Sequence, residues 1–388
     1  MRIAHVSDTH LGYMQYHLRE RKEDFFRAFE RVVERVVEEG VDLLVHSGDL
    51  FESYHPDVES LSFAISQFKR LKEAGVEVVA ITGNHDRALR KGTEPPHKIL
   101  SQLGLIKLLD PFGELEVDGV YFAGLRYFPK RFLELFREKY FSHFEERAKK
   151  SGASVLILHQ AVDPFISYAG YHPDAYEILA SQLPGGFTYY AAGHIHLYRK
   201  EELHGGLFSY SGSTEFRSSA EAESGRRGFN IFNLESREFE RVEIEGLRPF
   251  LVLKTDGERA FEELRELLEK VKSQPVPPVV SVIYKEQGES IEKFSGLLKE
   301  IEERALYLRL IKRSPADEED DGSSTTEERL DYSVLIREFC QKNGFPEKVS
   351  SLVVEITGHG ADDVEEIVRD YLKKEMGELF SLIEKFGV

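Results

Sequence analysis

Cysteine is nearly absent: Cys340 is the only one in 388 residues. That excludes an intrachain disulfide framework and cysteine-rich zinc sites, and it suits a reducing cytosol. No apolar run approaches the roughly 20 residues that span a bilayer. Residues 2–6 read as a strand rather than as a charged stub before an apolar stretch, so no signal peptide is expected. A soluble, intracellular protein is the expectation. A basic excess is missing too. With 51 Lys and Arg against 69 Asp and Glu, the net charge is −18, which excludes a surface that is basic throughout and built to wrap nucleic acid. An anionic ligand must then be attracted by local basic patches or by metal ions. What is present is 41% apolar and 31% charged residues, the balance of a globular chain, at a length that suits two or three units.

The first half alternates short apolar runs with longer amphipathic stretches. Residues 2–6, 43–45 and 78–81 read as buried strands. Between them, residues 23–39 place Phe25, Phe26, Phe29, Val32, Val33, Val36 and Val37 on one helical face, with Gly40 as the C-terminal cap. A second helix is expected over 57–74. Strands alternating with helices predict a layered α/β domain. Past Leu105 hairpin signals appear, with Asp118-Gly119 as a two-residue turn between strands 114–117 and 120–125. A helix over 131–149 follows, then strands at 155–158, 189–192, 229–234 and 239–244. Residues 248–313 read as a small second unit with strands at 250–253 and 279–284 and helices over 258–271 and 291–303. The segment 314–328 carries five consecutive acids, residues 317–321, and reads as an extended, self-repelling linker. Beyond it, 329–388 reads as a pair of amphipathic helices.

Five apolar runs each end in a metal-capable side chain. The first leads to Asp8 and His10, the second to Asp49, the third to Asn84 and His85, the fourth to His159, and the fifth to His194 and His196. In open α/β sheets ligands bind outside the carboxyl ends of the strands, so these residues are expected to converge. Gly48, Gly83 and Gly193 each precede one of them, where a missing Cβ allows a sharp turn and close approach. The oxygen and imidazole set, without thiolate, suits Mn, Fe, Zn or Co. Seven ligands are too many for one tetrahedral ion. Two ions about 3.5–4 Å apart clamp a phosphoryl group for in-line displacement and lower the pKa of water from about 15.7 toward 7. They also supply the positive field that the net charge lacks. His5 and His46, by contrast, read as packed and hydrogen-bonded.

Asp8-Thr9-His10, Gly48-Asp49, Gly83-Asn84-His85-Asp86, His159 and Gly193-His194-Ile195-His196 together resemble the five motifs of calcineurin-like metallophosphoesterases. The flanking residues, Ser7 to Gly12, Gly48-Asp49-Leu50-Phe51 and Gly83 to Arg87, are similar to the Mre-eleven/SbcD nucleases of double-strand break repair, in their archaeal form. The resemblance implies an α/β metallophosphoesterase sandwich at 1–247, a capping, DNA-orienting α+β domain at 248–313, and a helical tail that docks on a Rad-fifty/SbcC-type ABC ATPase. A self-contained helical mini-domain is the alternative for that tail. The resemblance further implies two divalent ions, with manganese expected. Asp8, His10 and His196 would hold one, Asn84, His159 and His194 the other, and Asp49 would bridge. His85 would protonate the leaving 3′ oxygen, a role suited to imidazole. Related nucleases often carry a second histidine directly after Gly-Asp-Leu-Phe; here Glu52 stands there, and His55 is the nearest substitute. His17, Arg87, Arg90 and Lys91 are candidate contacts to a phosphate backbone, with solvated surface charge as the alternative. Leu61, Phe63, Ile65 and Phe68 are either core or a face that pairs two subunits into a homodimer. The activity implied is 3′ to 5′ exonuclease and single-strand endonuclease, in a cytoplasmic or nucleoid-associated protein. A cyclic-nucleotide or small-molecule phosphodiesterase and a DNA-end-bridging scaffold are the rival readings.

Overall fold

The computed structural model describes residues 1–88, 93–167, 175–257, 259–285 and 290–313. Arg90, Lys91, the acidic linker and the helical tail lie outside the described residues. In chain order, β1 (Arg2–Val6), α1 (Arg19–Glu38), β2 (Leu43–Ser47), α2 (Val58–Glu73) and β3 (Glu77–Ile81) come first, then α3 (His97–Gln102) and β4 (Lys107–Leu108). The hairpin β5 (Glu114–Val117)–β6 (Val120–Leu125) precedes α4 (Lys130–Lys150), β7 (Ala153–His159) and the short β8 (Val162–Asp163) and β9 (Ile178–Leu179). Next come β10 (Tyr189–Gly193), the hairpin β11 (Arg199–Leu203)–β12 (Gly206–Tyr210), α5 (Ser219–Glu223), β13 (Gly228–Asn233) and β14 (Phe239–Glu243). The described chain closes with β15 (Phe250–Asp256), α6 (Ala260–Lys272), β16 (Val279–Lys285), α7 (Ser295–Glu302) and β17 (Tyr307–Arg313).

Two six-stranded sheets form the larger part, ordered β14-β13-β1-β2-β3-β4 and β11-β12-β10-β7-β6-β5. The central strands of each are parallel, and the hairpin partners at the margins are antiparallel. Strand side chains alternate between faces, and both faces here meet apolar partners. On β1, β2 and β3, Ile3, Leu43, Val45, Val79 and Ile81 point inward to the second sheet, whose contribution includes Phe122, Val155, Ile157 and Tyr189. Their neighbours Ala4, Val6, Leu44, Val78 and Ala80 point outward to Phe29, Val32, Val33, Phe68 and Leu71 of α1 and α2. On the far side, Tyr121, Ala123, Leu156 and Leu158 meet Phe141, Phe144 and Ala148 of α4. Burial on both faces explains why these strands read as continuous apolar runs without alternation. Each fully buried Phe or Val on α1 contributes about 1.5–3 kcal/mol of transfer free energy.

The fold is therefore the α/β layered sandwich that the motifs implied. Asp118 and Gly119 both take positive φ, 49° and 77°, the geometry that lets a two-residue turn join β5 and β6. The hairpin β11–β12 had no counterpart in the sequence reading, although His204-Gly205 forms the same turn, with φ of 50° and 79°. A separate parallel sheet, β15-β16-β17, packs α6 and α7 through Leu264, Leu268, Val280, Val282 and Ile301. Arg248 ties this unit to α1 by donating to Asp24 at 2.6 Å, and Tyr307 stacks on Tyr16 at 4.0 Å. On α2, Phe68 is buried, whereas Leu61, Phe63 and Ile65 are half-buried, with Phe63 stacked on Phe26 at 4.5 Å. Among the described residues no helix is long and apolar enough to cross a membrane.

Candidate metal centre

The parallel strands of both sheets end on one side, and the loops that leave them carry the chemistry. Pairing continues past the strand ends: His10 N–H donates to the Asp49 carbonyl at 3.1 Å and Leu11 N–H to that of Leu50 at 2.9 Å. Asp86 ties two loops together, accepting from Gly83 N–H at 2.8 Å and Phe51 N–H at 3.0 Å. Asp8, His10, Asp49 and His194 all sit at positive φ, between 45° and 84°. Side chains other than glycine seldom occupy that region, and such strain persists where surrounding contacts over-determine it. At Gly48, φ is +94° and an added Cβ would lie 2.4 Å from His159 Nδ1. At Gly83 it would lie 2.0 Å from Asp49 Oδ1. At both positions the His159 and Asp49 side chains occupy the space that a Cβ would need.

Asp8, His10, Asp49, Asn84, His159, His194 and His196 come together at this edge. Asp8, His10 and His196 offer atoms within 4.8 Å of one another, as do Asp8, Asp49 and His159. Asn84 Oδ1 is 3.1 Å from His159 Nε2 and 2.9 Å from His194 Nδ1. His10 Nε2 and His196 Nε2 face each other at 3.2 Å. The outward nitrogens explain this crowding. His159 Nδ1 bonds the Ser47 carbonyl at 2.7 Å and His196 Nδ1 the Glu221 carboxylate at 2.9 Å, while the Glu52 carboxylate lies 2.9 Å from His10 Nδ1 as a charged neighbour rather than in hydrogen-bond geometry. His194 Nε2 lies 3.8 Å from Glu177. An imidazole whose outer N–H is committed to a carboxylate or carbonyl turns a lone pair inward, the arrangement that orients metal-binding histidines. Imidazole nitrogens 3.2 Å apart need a proton or a metal cation between them. The donor set thus fits divalent ions.

Electrostatics agree with that reading. Burial would lower the His159 pKa, but the Asp49 carboxylate 3.2 Å away overrides it and lifts the imidazole to about 9. Burial would raise Asp49, and His159 overrides it in turn, holding the carboxyl well below its usual range. Burial pushes His194 down to about 3 and His10 well below its ordinary value, the latter helped by Arg217. Against the effect of burial, His196 is raised and Glu221 falls to about 2, because each faces the other.

His85 lies at the mouth, half-buried, its ring edge-on to His10 at 4.9 Å. Its backbone N–H donates to Asp49 Oδ1 at 2.9 Å, and its Nδ1 contacts the Glu52 carbonyl at 3.1 Å. Arg87 stands over the Tyr127 ring at 5.4 Å, and that ring is 5.5 Å from His194. His17 is exposed on a turn before α1. His55 is exposed as well and packs on Tyr54 at 4.5 Å; the residue brought between His10 and His85 is Glu52. His5 and His46 are buried and bond Tyr189 and Thr9, as packed histidines do. Sequence reasoning missed Glu52 as a participant, and it missed Glu177, Arg217 and Glu221 altogether. No local motif marks them, since each meets its partner only through the fold.

Comparison with known proteins narrows the class. The family described as calcineurin-like phosphoesterase matches residues 1–198. The DNA double-strand break repair protein Mre11 of Methanopyrus kandleri is 36% identical over 87% of this chain and 76% of that one. The Mre11 of Saccharolobus solfataricus is 31% identical over 97% of this chain and 99% of that one. A solved structure of a Thermus thermophilus protein overlays 63% of this chain and 99% of that one, with a TM-score of 0.40 and 14% identity. With its sandwich, its Asp, Asn and His residues at the strand ends and its Mre11 relatives, the chain belongs to the Mre11 family of calcineurin-like phosphoesterases and is a metal-dependent phosphodiesterase.

Proposed function

We propose that this protein is a DNA nuclease of double-strand break repair, with 3′ to 5′ exonuclease and single-strand endonuclease activity. The observation that carries the reading is the ring of four imidazoles, two of them held from behind by hydrogen bonds, whose inner nitrogens crowd with Asp8, Asp49 and Asn84. Asp8, His10 and His196 would hold one divalent ion and Asn84, His159 and His194 a second, with Asp49 available to both; manganese is the ion proposed. When bound, such ions supply Lewis acidity toward phosphoryl oxygens and make water acidic enough to act as a nucleophile near neutral pH. The chain's own part is to fix that geometry and to move protons. The Glu52 carbonyl and Asp49 hold His85 at both its ring and its backbone, so its Nε2 is the nitrogen that delivers a proton to the leaving 3′ oxygen. Arg87 over Tyr127 offers a cation beside an aromatic face, the pairing that suits a nucleic-acid strand. The unit from β15 to β17 caps the cleft. The half-buried α2 face pairs two subunits, and the tail docks on a Rad-fifty/SbcC-type ABC ATPase in the cytoplasm or at the nucleoid.

The test is cleavage of blunt duplex and single-stranded oligonucleotides with and without manganese, compared with hydrolysis of cyclic dinucleotides. Manganese-dependent DNA cleavage that His85→Ser abolishes, at unchanged metal content, is the expected result. Turnover of cyclic dinucleotides with indifference to DNA would select the small-molecule reading. DNA binding without turnover would select the end-bridging scaffold.

A further inference from the structure

We infer that Arg217 is a substrate-binding residue that donates to a non-bridging phosphate oxygen beside the ions, and that Glu52 is its positioning residue. The inference rests on the phosphodiesterase assignment and adds to it an anion subsite that no strand-end motif contains. Arg217 lies on the loop between β12 and α5, yet its guanidinium sits in the cleft with only 7% of the side chain exposed. Nη2 donates to Glu52 Oε1 at 2.9 Å and Nη1 contacts His10 Nε2 at 3.3 Å. The guanidinium also lies on the Tyr13 ring at 4.6 Å. Its backbone is fixed at both ends: N–H donates to Glu221 Oε2 at 3.1 Å, and the carbonyl accepts from Gln15 Nε2 at 2.6 Å.

A guanidinium held this way is not a solvated surface charge. Ordering a long side chain against a ring and a carboxylate sacrifices rotamer freedom, and placing a cation among ligands for divalent ions adds repulsion once those ions bind. The position makes sense when an anion completes the cluster. His10 Nε2 is one of the two imidazole nitrogens that meet at 3.2 Å. Nη1 therefore points at a nitrogen that a cation would claim, which is the direction from which a phosphate oxygen bound at the centre would accept from the guanidinium. The rigid fork of arginine suits that job, because one arm can stay on Glu52 while the other binds. Glu52 stands where related nucleases often have a histidine. A carboxylate cannot donate to phosphate, but with Arg217 attached it presents a donor to the same region. His10, Glu52 and His85 also lie close enough to hold a cation, so ion count must enter the test.

The experiment uses the full chain with manganese and two substrates, single-stranded oligothymidylate and bis(4-nitrophenyl) phosphate. Arg217→Met is expected to lower kcat/KM about 10- to 100-fold on both, the loss of one charged hydrogen bond. Manganese content and melting temperature should not change. On oligothymidylate the slope of log kcat/KM against log salt should become shallower by about 0.7, the share of one single-strand phosphate contact. Arg217→Lys should restore the slope but only part of the rate, and it serves as the folded control. Glu52→Ala should lower the rate in the wild-type background and by under about threefold once Arg217 is Met, since coupled residues are not additive. Wild-type kcat/KM on both substrates in Arg217→Met would overturn the inference, as would loss of manganese or a collapsed melting temperature in that variant. A third manganese equivalent present in wild type and absent in Glu52→Gln would make Glu52 a ligand and overturn its positioning role. If wild type cleaves the small diester but not DNA, the nucleic-acid reading fails alone, and Arg217 is judged on the small diester.

Discussion

Metal uptake by this site should release protons, and the structure says which ones. In the metal-free protein, Asp49 raises His159 to about 9. At pH 7 that imidazole is therefore about 99% protonated, and a ligand nitrogen must lose its proton before it binds an ion. A factor of 100 in protonation corresponds to roughly 3 kcal/mol at about 1.4 kcal/mol per tenfold. The ion held by His159 should accordingly bind about 100-fold more weakly at pH 7 than its limiting affinity. Affinity should rise about tenfold per pH unit from 7 and level off near 9. His196, also raised, contributes in the same direction. His10 and His194, held low by burial, bring no protons at neutral pH. Calorimetric titration with manganese in two buffers of different ionisation heat, at pH 7, should count between one and two protons released as the site fills. A count of zero, or an affinity flat from pH 6.5 to 9, would refute the Asp49–His159 ion pair as the resting state. Stability of the metal-free protein should run the other way. The raised His159 favours the folded state fully below about 6.5, and that contribution disappears as pH climbs to about 9. The melting temperature without metal should therefore fall by several degrees over this window.

Further outcomes follow from individual contacts. Glu221→Gln removes the charge that orients His196 through the 2.9 Å contact and should weaken manganese binding about 10- to 100-fold by equilibrium dialysis. Gly48→Ala places a methyl group 2.4 Å from His159 Nδ1 at a φ of +94°; thermal unfolding should show destabilisation of at least about 2 kcal/mol, together with lost metal. Asp86→Ala strands the Gly83 and Phe51 N–H groups and should lower unfolding free energy in urea by about 2–4 kcal/mol. The matching loss of manganese affinity would show that the two loops move as one.

The apolar strands, the helices packed on them and the strand-end residues were legible because each depends on short-range spacing. A strand buried on both faces is a continuous apolar run, and the residue after it emerges at the sheet edge whatever the rest of the fold does. That logic reached Asp8, His10, Asp49, Asn84, His159, His194 and His196 one strand at a time. It reached the β5–β6 turn through Asp118-Gly119, and overlooked β11–β12 because charged residues dilute the strand pattern in Lys200-Glu201-Glu202. His55 drew attention because it was the nearest imidazole along the chain, but in space it faces solvent beside Tyr54.

Residue type and local period thus determined the layers and the inventory of side chains that converge at the sheet edge. Tertiary structure alone decided what stands behind them: Glu221 behind His196, Glu52 beside His10, the Ser47 carbonyl behind His159, and Arg217 on Glu52. The partners in these pairs are separated by 25 to 165 residues, and their meeting depends on how two sheets pack rather than on any periodicity. The physical reason is one of range. Secondary structure follows from neighbours a few residues apart, whereas the tautomer, orientation and charge of a ligand follow from whatever the fold brings within 3 Å.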